Sequence, residues 1–131
     1  MNNQLKISSR IENISVVENL IDELSEKYKI GTEVYGNILI AIVEAVTNCI
    51  IHGNKLDASK SVYVSYSFNE DHIQFNVRDE GEGFNYKDVP DPTQPVNVER
   101  PHGRGIFLMM HLSDELDFNT EGTEVIMRFK I

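Results

Sequence analysis

The sequence contains a single cysteine, Cys49, among 131 residues, and this scarcity limits the chemistry available to the chain. One cysteine cannot form an internal disulfide bond, and without a CxxC pair or a cysteine–histidine cluster there is no zinc-binding pattern. Cys49 falls on an apolar helical face, where a free thiol usually behaves as a small buried hydrophobe. We therefore expect Cys49 to be a core residue rather than a nucleophile.

Basic residues are also few. The chain has 12 lysines and arginines and 21 aspartates and glutamates, which gives a net charge of -9. No stripe of lysine or arginine forms. Phosphate contacts supply most of the affinity for nucleic acids, so this composition argues against nucleic-acid binding as the main function. The first residues show no signal-peptide core, and no apolar run approaches the roughly 18 residues of a membrane-spanning helix. We expect a cytoplasmic protein that does not bind membranes.

Hydrophobic periodicity divides the chain into strands and helices. A first strand is predicted at LKISS and a first helix at ENISVVENLIDELSEKY. A second helix is predicted from Thr32, which we expect to cap it, to about His52, where Gly53 and Asn54 predict a left-handed stop. SVYVSYSFN and HIQFNVRD predict a hairpin around NED, GIFLMMHLSD predicts a short helix, and ELDFN and TEVIMRFKI predict two closing strands.

This order of elements predicts an α+β fold, a two-layer sandwich with helices packed on one face of a mixed, mostly antiparallel sheet. We see no repeat, so residues 1–131 are expected to form a single domain. Periodicity disappears between Gly81 and Gly103, and all four prolines lie there. A structureless stretch of that length inside a domain is usually functional, and we interpret residues 84–102 as a lid.

The second predicted helix carries a carboxylate and a carboxamide one turn apart. On a helical wheel at roughly 100° per residue, the stripe predicted for the core consists of Ile38, Ile42, Ala45, Val46 and Cys49. Glu44 and Asn48 fall together at the margin of that stripe. Such a pair can bind a ligand at the edge of a packed core, or it can be a solvated or structural pair. The helix alone does not decide between these interpretations.

An aspartate continues the inward row of a predicted strand. In HIQFNVRDEGEG, strict alternation gives one inward row of residues: Ile73, Phe75, Val77 and Asp79. A carboxylate in such a row is costly unless it finds a donor. Gly81 and Gly83 would let a ligand approach the backbone closely. Alternatively, Asp79 only caps the amides of its own loop, so this motif alone is a weak signal.

A third pattern lies in ERPHGRGIFLM, where Gly103 and Gly105 are predicted to open a helix. Backbone N–H groups at a helix N-terminus bind anions, and Arg104 can add a charge-assisted contact to phosphate. Glycines before helices are common, so this motif is also weak alone. The chain has neither the Walker loop GxxxxGK[ST] nor the dinucleotide fingerprint GxGxxG.

In this order, the three patterns resemble those of the Bergerat-fold (GHKL) ATPases. These proteins have Glu-x-x-x-Asn on a helix, Asp-x-Gly-x-Gly after a strand, and Gly-x-Gly opening a helix after a lid. EGTEV contains the threonine that the superfamily places beside adenine, and EAVTNCIIHGN is similar to the EAVTNA..HG of small anti-sigma factor serine kinases. The resemblance covers about residues 30–131 by motif. One position departs, because His102 stands where many relatives have a further glycine.

The resemblance implies a role for each matching residue. Glu44 is implied as the general base, and Asn48 as the ligand of the Mg²⁺ that accompanies ATP. Asp79 would accept a hydrogen bond from the adenine amino group, with Thr123 supporting it. Further contacts to the nucleotide are implied for Gly81 and Gly83 on the adenine side, and for Gly103, Arg104 and Gly105 on the phosphate side.

The resemblance also implies a function. Such proteins are ATP-dependent serine protein kinases that phosphorylate a serine of an anti-sigma-factor antagonist, and they sequester a sigma factor when the antagonist is not bound. A homodimer is expected on the same ground, with the first strand and first helix as its interface. The alternative is a nucleotide-gated binding module of a partner-switching system that binds its partner without kinase turnover.

Overall fold

The computed structural model describes residues 3–81 and 101–131, with the side chains of the last helix described from Gly105 onward. Gly83 and the predicted lid up to residue 100 lie outside the described residues. The helices are α1 (Ile14–Lys27), α2 (Thr32–Asn48) and α3 (Pro101–Leu112). The strands are β1 (Gln4–Ser8), β2 (Ser61–Asn69), β3 (His72–Arg78), β4 (Glu115–Phe118) and β5 (Glu124–Lys130). A 3₁₀ turn, Ile11–Asn13, precedes α1.

The five strands form one sheet in the order β1-β2-β3-β5-β4. Each neighbouring pair is antiparallel, with Val64 opposite Val77 and Phe75 opposite Met127. Alternate residues of β2, β3 and β5 are buried, so one face of the sheet carries the core and the helices. The predicted α+β sandwich is confirmed. The described part of the sheet is antiparallel throughout, where a mixed sheet was predicted, because short turns join β2 to β3 and β4 to β5.

Helix α2 is the central element of the core. By length and composition alone, the helical stretch Thr32–Gly53 could cross a membrane, a test that core helices also pass. In the structure, the stripe predicted for the core is buried throughout: Ile38, Ile42, Ala45, Val46 and Cys49. Packing of this stripe against the sheet and against α3 fixes the rotation of α2 about its axis. That rotation decides where Glu44 and Asn48 point.

The helical stretch ends near His52 as predicted, but both predicted caps of α2 are wrong. Gly31 has the extended backbone of the capping residue, and its carbonyl accepts the first helical bond from the Tyr35 amide at 2.9 Å, so Thr32 is already helical. At the other end the helix widens into a π-helical turn, Cys49–Gly53, closed by Asn54 N donating to Cys49 O at 2.7 Å. The left-handed residues follow later, at Lys55 (φ 54°) and Leu56 (φ 61°).

Candidate active site

Glu44 and Asn48 lie on the side of α2 that faces the start of α3. Both are half-buried. A β-carbon on Gly105 would lie 2.8 Å from Asn48 Nδ2 and 3.2 Å from Glu44 Oε2. The ends of both side chains therefore converge on one point of α3, and Gly105 can approach them because it has no side chain. The structure thus brings Gly105 beside Glu44 and Asn48, from which it is far apart in sequence.

Asp79 follows β3 immediately and is buried, with 8% of its surface exposed. Its Oδ1 accepts a hydrogen bond from Gly81 N at 2.7 Å, and its own amide donates to Thr123 O at 3.0 Å. Burial raises the pKa of the Asp79 carboxyl, opposed first by the Gly81 amide and then by the Cys49 thiol, which donates to it. The carboxylate thus has local donors, as a buried one requires, and it also borders a cavity.

Two glycines allow the turn after β3 to lie directly against the π-helical turn. A β-carbon on Gly53 would lie 2.5 Å from Asp79 Cγ, and one on Gly81 would lie 2.6 Å from Gly53 C. Real β-carbons do not occur at such distances, so a side chain at Gly53 would displace the Asp79 carboxylate and one at Gly81 would force the two turns apart. The sequence suggested that Gly81 leaves room for a ligand, whereas in the structure it leaves room for Gly53.

A cavity is lined by both Asp79 and Asn48. Most of its wall is apolar, and the residues concerned are Ala45, Val77, Ile106, Met109, Phe118 and Val125. Its polar lining includes Cys49, His52 and Thr123. An apolar slot with a few polar groups is typical of a small-molecule site. Asp79 gives the cavity a buried acceptor, and Asn48 joins the cavity to the neighbouring Glu44 and Gly105.

Thr123 is held by the turn between β4 and β5. The Asn119 side chain donates from Nδ2 to Thr123 Oγ1 at 2.9 Å and accepts from Thr123 N at 2.9 Å. Gly122, with φ 75°, gives this turn its left-handed residue. Thr123 contacts Asp79 through its backbone carbonyl, while its hydroxyl is bonded to Asn119 and lies at the cavity wall.

Cys49 is buried, as expected, with 6% of its surface exposed. Burial raises the pKa of the thiol well above its ordinary value, and the nearby Asp79 carboxylate raises it further. The thiol also lines the cavity and donates to Asp79, a contact that the sequence did not indicate. The signal available was that Cys49 directly follows Asn48, on the same side of the helix as the core.

Gly103 and Arg104 of the predicted phosphate motif are described in part, and Gly83 of the adenine motif is not described. Gly103 and Arg104 lie in the first turns of α3, which begins two residues before the predicted start, at Pro101. Their contacts, and those of Gly83, lie outside what the structure describes. Of the Gly-x-Gly pair, Gly105 is therefore the member whose neighbours are known.

Asn54 is a residue that the sequence interpretation missed. We predicted only a helix stop there, but the side chain is buried, with 1% exposed. Its Nδ2 donates to Ser9 Oγ at 2.8 Å and to Ser61 O at 2.9 Å, and its Oδ1 accepts from Glu80 N at 2.8 Å. The available signal was an asparagine after a glycine in HGN, directly following the Glu-x-x-x-Asn helix.

The described residues can be tested for their fit to Mg²⁺. They contain no group of three or more histidine, cysteine, aspartate or glutamate side chains that could hold a metal ion by themselves. Asn48 supplies one carboxamide oxygen beside the start of α3. Mg²⁺ keeps several waters and takes few protein ligands when phosphates are present, so this donor set fits a nucleotide-borne Mg²⁺.

Comparison with known proteins identifies a family and several relatives. Residues 7–129 match the family model described as a histidine kinase-like ATPase domain. Serine-protein kinase RsbW of Oceanobacillus iheyensis is 25% identical over 133 residues, covering 97% of this chain and 84% of that protein. An anti-sigma F factor of Clostridium perfringens is 35% identical over 102 residues, covering 72% and 71%. An anti-sigma F factor of Geobacillus stearothermophilus is 30% identical over 131 residues, covering 95% and 88%.

Solved structures share the fold at low sequence identity. The RsbU and RsbW domains of a Mycobacterium tuberculosis protein match with a TM-score of 0.69 and 16% identity, over 97% of this chain and 32% of that one. A histidine kinase domain from an Erythrobacter litoralis blue-light activated kinase matches with a TM-score of 0.57 and 19% identity, over 89% and 58%. The chain thus spans about a third of the first structure and over half of the second. With the family model matching nearly its whole length, the chain belongs to the histidine kinase-like ATPases.

Proposed function

We propose that this chain is an ATP-dependent serine protein kinase and anti-sigma factor, which phosphorylates a serine of an anti-sigma-factor antagonist and sequesters a sigma factor. The observation that carries the proposal is the convergence of the Glu44 carboxylate and the Asn48 carboxamide beside Gly105, with Asn48 also lining the cavity that contains Asp79. The relatives named serine-protein kinase and anti-sigma F factor support it.

The adenine ring would occupy the apolar cavity. A flat, weakly hydrated ring gains from contact with walls such as Val77, Ile106 and Met109. The buried Asp79 carboxylate would accept a hydrogen bond from the 6-amino group, with Gly81 near the same edge. Guanine presents a carbonyl oxygen there, and two acceptors facing each other leave both unsatisfied. The cavity would therefore select adenine.

The phosphates would lie where α2 and α3 meet. Backbone N–H groups in the first turn of α3, including that of Gly103, have no acceptor within the helix and suit anions. Arg104 would add a positive charge to this segment. Mg²⁺, held by Asn48 and the phosphates, would offset the charge that develops on the transferred phosphoryl group.

Glu44 would act as the general base. It would accept the proton of the substrate serine hydroxyl while the serine oxygen forms a bond to the γ-phosphorus. The bond between that phosphorus and the β–γ bridging oxygen breaks, and ADP leaves with the electron pair. A carboxylate in this role contributes roughly 10²- to 10⁴-fold. Positioning by Asn48 and the start of α3 would supply much of the remainder.

We further infer one cytoplasmic domain, residues 1–131 with a lid at 84–102, that forms a homodimer and binds neither nucleic acid nor membranes. Within the described sheet, β1 has a neighbour on one side only, and Ile11 and Val16 nearby are 48% and 40% exposed. An open strand edge beside exposed apolar side chains suits pairing with a second copy. These features support β1 and α1 as the dimer interface.

Incubation of the purified chain with a purified antagonist and γ-labelled ATP tests the proposal. We expect label on a serine of the antagonist, dependent on Mg²⁺, and much slower labelling with the Glu44→Gln variant. Binding of ATP and antagonist with no transfer by the wild-type chain would contradict kinase activity and would favour the nucleotide-gated binding module. Separate capture of a sigma factor, competed by unphosphorylated antagonist, tests the anti-sigma half.

A further inference from the structure

We propose that Asn54 is a positioning residue for base recognition, holding the turn that carries Asp79 against the end of α2. This inference rests on the proposed adenine site, because it names the residue that fixes the base-reading carboxylate. Asn54 does not line the cavity. It would act through Glu80 and Asp79 rather than by touching the nucleotide.

The hydrogen bonds of Asn54 connect three separate segments. Its Oδ1 accepts from the amide of Glu80, the residue between Asp79 and Gly81. Its Nδ2 donates to Ser9, just after β1, and to the carbonyl of Ser61 at the start of β2. Ser9 Oγ in turn donates to Lys60 O at 2.8 Å, so its lone pair is directed to Asn54. The turn after β3 is thereby bonded to the part of the chain that leads into β2.

The carboxamide is the one ordinary short side chain that can make this set of bonds. Two N–H groups meet two acceptors, and one carbonyl oxygen meets one backbone donor. Aspartate of the same shape could still accept from Glu80 N but would turn an oxygen toward Ser61 O. Alanine would remove all three bonds and leave the Glu80 amide without its acceptor. The Glu80 carboxylate, which accepts from Ser61 N, would then be the remaining side-chain bond between this turn and the start of β2.

Close backbone packing makes the orientation of this turn sensitive to Asn54. Gly53, the residue before Asn54, lies against the Asp79 carboxylate, and Gly81 lies against the Gly53 backbone. The Asp79 amide is fixed on the other side by Thr123 O. Two successive amides of the turn are therefore bonded, that of Asp79 to Thr123 O and that of Glu80 to Asn54 Oδ1. Together these bonds hold the backbone that carries the Asp79 carboxylate in one orientation.

The test is base selectivity, measured as the ratio of the dissociation constants of inosine triphosphate and ATP by calorimetry. Inosine replaces the 6-amino group with a carbonyl and carries a proton on N1, so the ratio reports recognition of the base edge that faces Asp79. We expect Asn54→Ala to reduce the ratio by about tenfold, the order expected for a disordered buried hydrogen bond. Ser9→Ala is the matched control, because it removes one Asn54 partner and leaves Glu80 bonded. It should lower the melting temperature and leave the ratio unchanged.

A conservative variant and a measurement on the wild type complete the design. Asn54→Asp retains the acceptor for Glu80 N and should retain the wild-type ratio at lower stability. In the wild-type chain the Glu80 amide should exchange slowly with solvent although the Glu80 side chain is exposed, and this readout stands even if Asn54→Ala does not fold. Exchange at the rate of an unbonded amide would overturn the inference.

The outcomes also separate the inference from the proposed function. Asp79→Asn should remove the preference for ATP. If the wild type shows no preference, or if Asp79→Asn keeps it, the adenine assignment fails whatever Asn54 does. If Asp79→Asn removes the preference and folded Asn54→Ala keeps the full ratio, Asn54 is a purely structural residue and the inference alone fails.

Discussion

Gly53 lies against the Asp79 carboxylate, so closely that a β-carbon on Gly53 would fall 2.5 Å from Asp79 Cγ. The helix that carries Glu44 and Asn48 therefore ends in contact with the residue proposed to read the base. The π-helical turn therefore connects the Glu44–Asn48 pair to Asp79.

Replacing Gly53 with alanine should displace the Asp79 carboxylate and weaken ATP binding by about tenfold, because the base contact is buried. Titration calorimetry measures this effect. Gly36→Ala is the control, since a β-carbon there would meet open space in the middle of α2. That change should leave ATP affinity unaltered and stabilise the fold by roughly 0.5–1 kcal/mol. Wild-type affinity in Gly53→Ala would mean that the Asp79 contact is unimportant.

The choice of nucleotide should depend on Asp79. We expect the wild type to bind ATP more tightly than GTP, and Asp79→Asn to bind ATP at least about tenfold more weakly than the wild type does. The amide presents either an oxygen or an N–H group to the base and cannot match a carboxylate that already accepts from Gly81 and Cys49. Equal calorimetric affinities of the wild type for ATP and GTP would rule out the adenine assignment.

The ionised Asp79 side chain should lower the free energy of unfolding of the ligand-free protein. Burial raises the pKa of its carboxyl in the folded state, so the folded chain holds this proton at a pH where the unfolded chain has released it. The contribution of Asp79 to the free energy of unfolding therefore decreases as pH rises from the ordinary aspartate pKa through the raised one. At neutral pH Asp79→Asn should melt no lower than the wild type, and its advantage should shrink under acid conditions. A markedly lower melting temperature for the variant at neutral pH would contradict this.

Cys49 should be a slow nucleophile. Burial raises the pKa of its thiol well above the ordinary range, so the thiolate is scarce at neutral pH. Because Cys49 is the only cysteine in the chain, alkylation with iodoacetamide followed by mass spectrometry reads this site alone. We expect little labelling of the native protein, complete labelling in denaturant, and further protection by ATP. Rapid native labelling would show an accessible thiolate.

Much of the fold could be predicted because it depends on local patterns. Alternation in β2 and β3 predicted which residues face the core, and the helical wheel of α2 predicted its buried stripe, including Ile42 and Val46. Local patterns could not decide whether Thr32 or Gly31 caps α2. In the structure Gly31 has the extended backbone of a capping residue. Helix ends depend on such one-residue alternatives.

The sequence predicted the individual motifs of the candidate site, but not the contacts between them. Spacing on one helix indicated that Glu44 and Asn48 point the same way, but only packing of α2 against α3 brings Gly105 beside them. Asn54 was missed because two of its partners are 45 and 26 residues away in sequence. No local pattern encodes contacts at those separations.

The central claim is that Glu44 takes the proton while Asn48 holds the metal-bound nucleotide. Glu44→Gln preserves the shape of the side chain and should retain Mg-ATP affinity while phosphoryl transfer falls by roughly 10²- to 10⁴-fold. Asn48→Ala removes a ligand and should weaken Mg-dependent ATP binding as well as turnover. A structural pair would instead lower the melting temperature of both variants without nucleotide.

The most direct measurement is therefore the single-turnover rate of antagonist phosphorylation by Glu44→Gln, at saturating Mg-ATP, with ATP affinity measured on the same sample. With Glu44 as the general base, we predict wild-type affinity and a rate lower by at least about a hundredfold. A wild-type rate of phosphorylation by Glu44→Gln would contradict that role.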